Sequence, residues 1–160
     1  FNVSVSGGNF DTGEKSFGYF DGTGTTFPFQ NGIILSTGKI NNAPGPNGYL
    51  SDDGGGMGWN GDPDLNDALG LSNTFNATVL EFDFIPLGNR ISFDYIFSSE
   101  QYLSSPSSNQ CNYTDGFAFL LKRNGETRRR KQKEKGSIAA NAVVEPFLMK
   151  NILKLQIILR

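Results

Sequence analysis

The chain has 160 residues, with 16 acids against 14 Lys and Arg (net charge −2), twenty glycines, fourteen phenylalanines and no histidine. That length suits one domain with a real core. Without histidine there is no Ser-His-Asp triad, no Cys-His pair and no histidine metal site, and the single Cys111 excludes an internal disulfide while leaving a thiol that could pair between chains.

The small net charge conceals two kinds of sequence. Residues 1–121 carry three cations against thirteen acids, net −10, whereas residues 122–160 carry eleven against three, net +8. No run of about 18 apolar residues occurs, so no transmembrane helix is expected.

In chain order, FNVSVSG opens without a methionine or a charged-then-apolar leader, so the chain reads as a mature or cut-down segment. That stretch and NGIILSTG are short apolar runs closed by turn residues, which predicts strands. DGTGTTFPFQNG and NNAPGPNG are turn chemistry: Gly for positive φ, Pro for fixed φ, Asn for local backbone bonding. DGGGMG lacks the Lys-Ser/Thr of a phosphate cradle and reads as a loop.

WNGDPDLNDALG carries two readings. Asp62 is a good N-cap, Pro63 suits the first helical position, and Asp64 complements the positive end of a helix. Leu65, Ala68 and Leu69 then form one apolar stripe and Gly70 stops the turn, which predicts a short helix lying on a sheet. The same residues, Asp62, Asp64, Asn66 and Asp67, with Asp52 and Asp53 upstream, offer oxygen ligands of the kind calcium takes. Counted from Asp62, the sixth and twelfth positions are Asp67 and Asn73, where an EF-hand needs Gly and Glu, so any calcium loop here is of another kind. The two readings can coexist.

The strongest pattern is TVLEFDFIPLGNRISFDYIFSSEQY. Leu80, Phe82 and Phe84 alternate with Val79, Glu81 and Asp83, and after IPLGN a second alternation sets Ile91, Phe93, Tyr95 and Phe97 against Ser92, Asp94 and Ile96. This predicts a hairpin, or two strands of one sheet, with a phenylalanine-rich inner face that needs a second layer to cover it. DGFAFLL, from Asp115 to Leu121, predicts a third strand with Phe117, Phe119 and Leu121 inward.

NGIILSTGKINNAPGPN, the Asp-rich loop, TVLEFDFIPLGNRISFDYIFSSEQY and NYTDGFAFLL follow one another as in the choice-of-anchor L domain, which this chain resembles from about Phe10 to Lys122. The resemblance implies a secreted bacterial surface protein with an adhesin-like role, anchored by segments outside this chain. TDGFAFLL and VLEFDF also resemble strands of legume-type lectins, in reversed order and without the lectins' metal-binding histidine. That likeness implies a concanavalin-like sandwich rather than membership.

Two further groups of residues are candidates. Glu81, Asp83 and Asp94 would gather on one outer face if their strands were neighbours, and like charges there favour solvent or a bound cation. Glu100, Tyr102, Asn109, Asn112 and Asp115 flank the Ser-rich loop SSPSSNQCNYT, where aromatic and amide groups suit a sugar; a plain polar loop reads equally well. Paired carboxylates also serve glycosidases, but acids are common on this chain and do not make that case. Asn2, Asn76 and Asn112 open Asn-x-Ser/Thr triplets, which matter only in a eukaryotic secretory pathway.

After Lys122 the Phe and Gly that define the chain thin out. RRRKQKEK has the charge of a nucleic-acid or anionic-membrane patch but no interleaved aromatics, and no strand is legible. The expectation is that residues 122–160 are a basic, weakly structured tail, non-native or read in a shifted frame. The whole then reads as an all-β, antiparallel sandwich, jelly-roll or concanavalin-like and incomplete at its C-terminal side. As a non-enzymatic surface-binding module it would take a glycan or surface polymer, with calcium as the candidate ion and no nucleic acid. A spacer without ligand and a carbohydrate-active enzyme are the rivals.

Overall fold

A computed structural model of the chain describes residues 3–8, 15–44, 58–87, 91–99, 116–123, 130–132, 140–144 and 153–159. It is all-β, as expected, with one short α-helix among the described residues. The strands are β1 (Val3–Ser6), β2 (Phe17–Asp21), β3 (Asn31–Leu35), β4 (Thr78–Phe84), β5 (Ile91–Tyr95), β6 (Phe117–Arg123), β7 (Arg130–Gln132), β8 (Ala140–Val144) and β9 (Leu153–Leu159). Helix α1 (Pro63–Leu69) lies between β3 and β4 in the chain, and a single 3-10 turn covers Ile40–Asn42.

Five strands form the main sheet in the order β1-β4-β9-β6-β7, every neighbouring pair antiparallel. Val3, Phe82, Leu155, Leu121 and Arg130 stand in one row across all five. β2 and β3 form a hairpin of their own, and β5 pairs with β8 in a third, two-stranded sheet. β7, β8 and β9 fall within residues 122–160, where no strand was legible.

The alternation in TVLEFDF and ISFDY does produce strands, but the expected pairing of the two does not form. β4 takes β1 and β9 as neighbours, and β5 takes β8. The aromatic faces meet across layers instead of lying side by side. Phe93 packs on Phe119 with ring centroids 4.8 Å apart, Tyr95 on Phe119 at 5.0 Å and on Phe117 at 5.5 Å, and Phe97 on Phe117 at 4.9 Å. Face-to-face packing lets each ring row cover the other, and most of these pairs take the edge-on or tilted geometry that ring quadrupoles favour.

The other face of the main sheet is covered too. Leu65 of α1, fully buried, joins Ala77, Val79, Ala118 and Leu120 in the core cluster, with Ala68 and Leu69 packed against it. Residues assigned by alternation to an outer face, such as Val79, are therefore as buried as Leu80. A seven-residue helix suffices for this because the segment around it closes on itself. The Trp59 backbone N–H donates to Asn76 Oδ1 at 3.0 Å, its indole N–H to the Ala77 carbonyl at 2.9 Å, and the Asp62 N–H to Thr74 Oγ1 at 3.0 Å. Gly61 admits no Cβ because the Thr74 carbonyl and hydroxyl occupy that space. Asn76, at φ 53°, takes the left-handed conformation that Asn tolerates better than most residues.

Candidate functional site

The β2–β3 hairpin is tied to the main sheet at its base. The Thr78 hydroxyl donates to the Ser36 carbonyl at 2.6 Å, and Ser36 N–H donates to Ser16 O at 2.7 Å. Register then divides the hairpin into two faces: Gly18, Phe20, Gly32 and Ile34 on one, Phe17, Tyr19, Asp21, Asn31, Ile33 and Leu35 on the other. The first is covered. A Cβ on Gly18 would lie 2.7 Å from Ile40 Cδ1, and one on Gly32 would lie 2.8 Å from the Phe20 ring. Phe20 in turn meets Phe27 edge-on at 5.5 Å.

The second face is open at its centre. Tyr19 and Ile33 are register partners and are 70% and 60% exposed. One step along the same face, Asp21 pairs with Asn31, and both are exposed. The Thr23 hydroxyl, and after it the Thr23 backbone N–H at 2.9 Å, donate to the Asp21 carboxylate and hold its pKa below the usual carboxylate value. The result is an aromatic ring and an aliphatic side chain beside an oriented carboxylate and an amide. Such a patch can stack on the apolar face of a ring and accept or donate hydrogen bonds at its edge.

Sequence reasoning passed over this patch. FGYFD does not read as a strand because Gly18 interrupts its apolar alternation. The available signal was Gly18 and Gly32 falling on one face and large side chains on the other.

The residues singled out in the sequence are placed as follows. Asp62 is the N-cap of α1, its Oδ1 accepting from Asp64 N–H at 2.8 Å and Leu65 N–H at 3.0 Å. Pro63 takes the first turn and Gly70 closes the helix at φ 71°, both as expected. Asp64, Asn66 and Asp67 lie on the helix, and Asn66 Oδ1 is buried without a hydrogen-bond partner.

Glu81 and Asp83 stand on β4 at the register positions of Gln156 and Lys154 of β9. Asp94 lies on β5, in a different sheet, because β9 and not β5 is the neighbour of β4 on that side. The structure therefore does not bring Asp94 to Glu81 and Asp83. Among the described residues, no group of three or more His, Cys, Asp or Glu is placed to hold a metal ion. Glu100, Tyr102, Asn109, Asn112 and Asp115 lie outside the described residues, as do Asp52, Asp53 and Cys111. Asn76 is within them, and its side-chain oxygen is engaged by Trp59.

Among the described residues no helix is long and apolar enough to cross a membrane. No curated protein and no solved structure matches the chain significantly. The family model of the choice-of-anchor L domain matches residues 1–144, which takes in every element from β1 through β8 and extends past the Phe10 to Lys122 span of the sequence resemblance. This chain belongs to the choice-of-anchor L domain family, a surface-associated bacterial module.

Proposed function

We propose that the domain is a binding module of an extracellular bacterial surface protein, that its ligand is a glycan, and that the open face of the β2–β3 hairpin receives it. Family membership supports the surface setting. The observation that carries the ligand class is Tyr19, 70% exposed beside Ile33 and one step from Asp21 and Asn31. A soluble domain gains nothing in stability from holding a tyrosine ring in water, whereas a sugar offers that ring an apolar face and offers the carboxylate and amide its hydroxyls. Isolated exposed apolar residues need no such account; two in register, bordered by polar hydrogen-bonding groups, form a patch.

A glycan array probed with the full chain and with Tyr19→Ala tests the proposal. The expected result is binding to a restricted set of glycans, weakened about tenfold or more by Tyr19→Ala, in keeping with loss of a stacked aromatic anchor. The variant should largely keep its circular dichroism melt, since Tyr19 is 70% exposed. An array blank for the wild-type chain would favour a spacer, and binding that ignores Tyr19→Ala would move the site elsewhere.

A further inference from the structure

From Phe17 to Leu35 the hairpin contains a single charged residue, Asp21, and register sets it on the face of Tyr19 and Ile33. Lys15 and Lys39 bracket the hairpin in sequence, and both belong to its base, where the Ile40 N–H donates to the Lys15 carbonyl at 2.9 Å. Asp21 stands at the opposite end, so within the hairpin nothing offsets its charge. The Thr23 N–H donates to Asp21 Oδ1 at 2.9 Å, which orients the carboxylate while the residue stays exposed. An ionised carboxylate only accepts hydrogen bonds, so its partner must donate, and a cation donates most strongly. Tyr19 attracts the same sign of charge, because the face of its ring is the negative part of the quadrupole. Same-face neighbours on a strand stand about 7 Å apart, within the span of one pyranose ring and its substituents.

We infer that the glycan carries a free amine: a hexosamine unit stacks on Tyr19 while its ammonium group meets Asp21. This rests on the open face of the hairpin as the glycan site and names what that face selects. An ammonium group offers Asp21 three charge-assisted donors where a hydroxyl offers one neutral donor, and a cation beside a tyrosine ring gains there as well. Asn31, the register partner of Asp21, has both donors and an acceptor for the sugar's hydroxyls. Sugars bearing carboxylate, sulfate or phosphate meet the like charge of Asp21 and are disfavoured. Tyr19 is then the anchor for any sugar ring, and Asp21 is the residue that sets specificity.

Calorimetric titration of the full chain with β-1,4-linked hexamers of glucosamine, N-acetylglucosamine and glucose tests the inference, since the three share a backbone and differ only at C2. At about pH 6 the sugar amine is protonated and the carboxylate ionised. The glucosamine hexamer should bind about fivefold tighter than the other two, the upper end for an exposed ion pair, and the lead should shrink at high salt. Asp21→Asn keeps an acceptor for Thr23 and should abolish the lead without altering the melt. Because residues 1–121 are net −10 and would draw any polycation, Asp94→Asn is the control: it removes one exposed charge from a different sheet and should leave the lead intact. Three hexamers that bind alike, or a lead that Asp94→Asn removes as fully as Asp21→Asn, overturn the inference, while a loss of binding in Tyr19→Ala would still uphold the glycan reading. Array hits confined to neutral or acidic glycans likewise sink the amine alone. A blank array together with three inert hexamers removes the glycan reading and the amine with it.

Discussion

Between Trp59 and Ala77 the hydrogen bonds that shape the chain join residues no more than 18 apart. β9, by contrast, has neighbours drawn from distant parts of the chain, β4 on one side and β6 on the other. The first segment carries its own instructions: cap, helix-starting proline, apolar stripe, stop. The second acquires its place only when both partners are present. Local chemistry and long-range pairing thus built two parts of one core, and they meet at Leu65, where the self-closed segment seats on β4 and β6.

If that division is right, damage to the long-range part should be global and damage to the local part confined. Phe119 touches Phe93 and Tyr95 across the layers and Phe117 on its own strand, and it is buried. Phe119→Ala should cost roughly 3–5 kcal/mol and lower hydrogen-exchange protection in both sheets together. Protection lost in β6 alone would show that the layers do not depend on each other.

Leu65→Ala comes next, at roughly 2–5 kcal/mol, because it empties the contact between α1 and the sheet. A urea melt monitored by Trp59 fluorescence and by far-UV dichroism should show the two signals separating, the tryptophan responding first. Coincident transitions would mean that the 59–77 segment has no independence.

Asp62→Ala removes the acceptor for Asp64 and Leu65 N–H and should cost about 1 kcal/mol. Its exchange footprint should stay within residues 59–77; spread into β4 and β6 would argue against a self-closed segment.

A smaller effect is expected at Asp21. Thr23 lowers its pKa, so the carboxylate is more easily ionised in the folded chain than in the unfolded one. Its contribution to stability is present above the unfolded value and is lost as pH falls through the lower, folded one. An NMR titration of Thr23→Ala should show the Asp21 midpoint rising toward the ordinary carboxylate value. No movement would assign the shift to something other than Thr23.

The smallest expected change is that of the melting temperature between millimolar calcium and chelator. One oxygen of Asp62 already serves as a helix cap, which favours the structural role of DPDLNDALG. A calcium-dependent rise removed by Asp64→Asn with Asp67→Asn would instead make it a metal loop, at about 2.7 kcal/mol for a hundredfold excess over Kd.

Much of the fold was legible residue by residue. The helix from Pro63 to Leu69, its caps, its buried stripe and the span of β4 from Thr78 to Phe84 follow from signals within a few positions of one another. The rows of phenylalanine in β4, β5 and β6 were equally plain as inward faces. β2 was not, since Gly18 and Gly32 leave no apolar pattern until Ile40 and Phe20 are seen lying over them. The Tyr19 patch was hidden with it. LKLQIIL in β9 was hidden by the basic composition around it, although its alternation matches the rows of its neighbours.

Propensity, capping and alternation act between residues close in the chain, so they can be read from the amino acids in order; they account for where the strands and the helix lie and which side chains each would bury. Partner choice between strands is different. An alternating strand with a phenylalanine face is satisfied equally by a neighbour in its own sheet or by rings from an opposing layer, and nothing within the strand separates the two. Packing decided it: β9 took the position beside β4, which sent β5 to the second layer, separated Asp94 from Glu81 and Asp83, and brought the ends of β4 and β6 together.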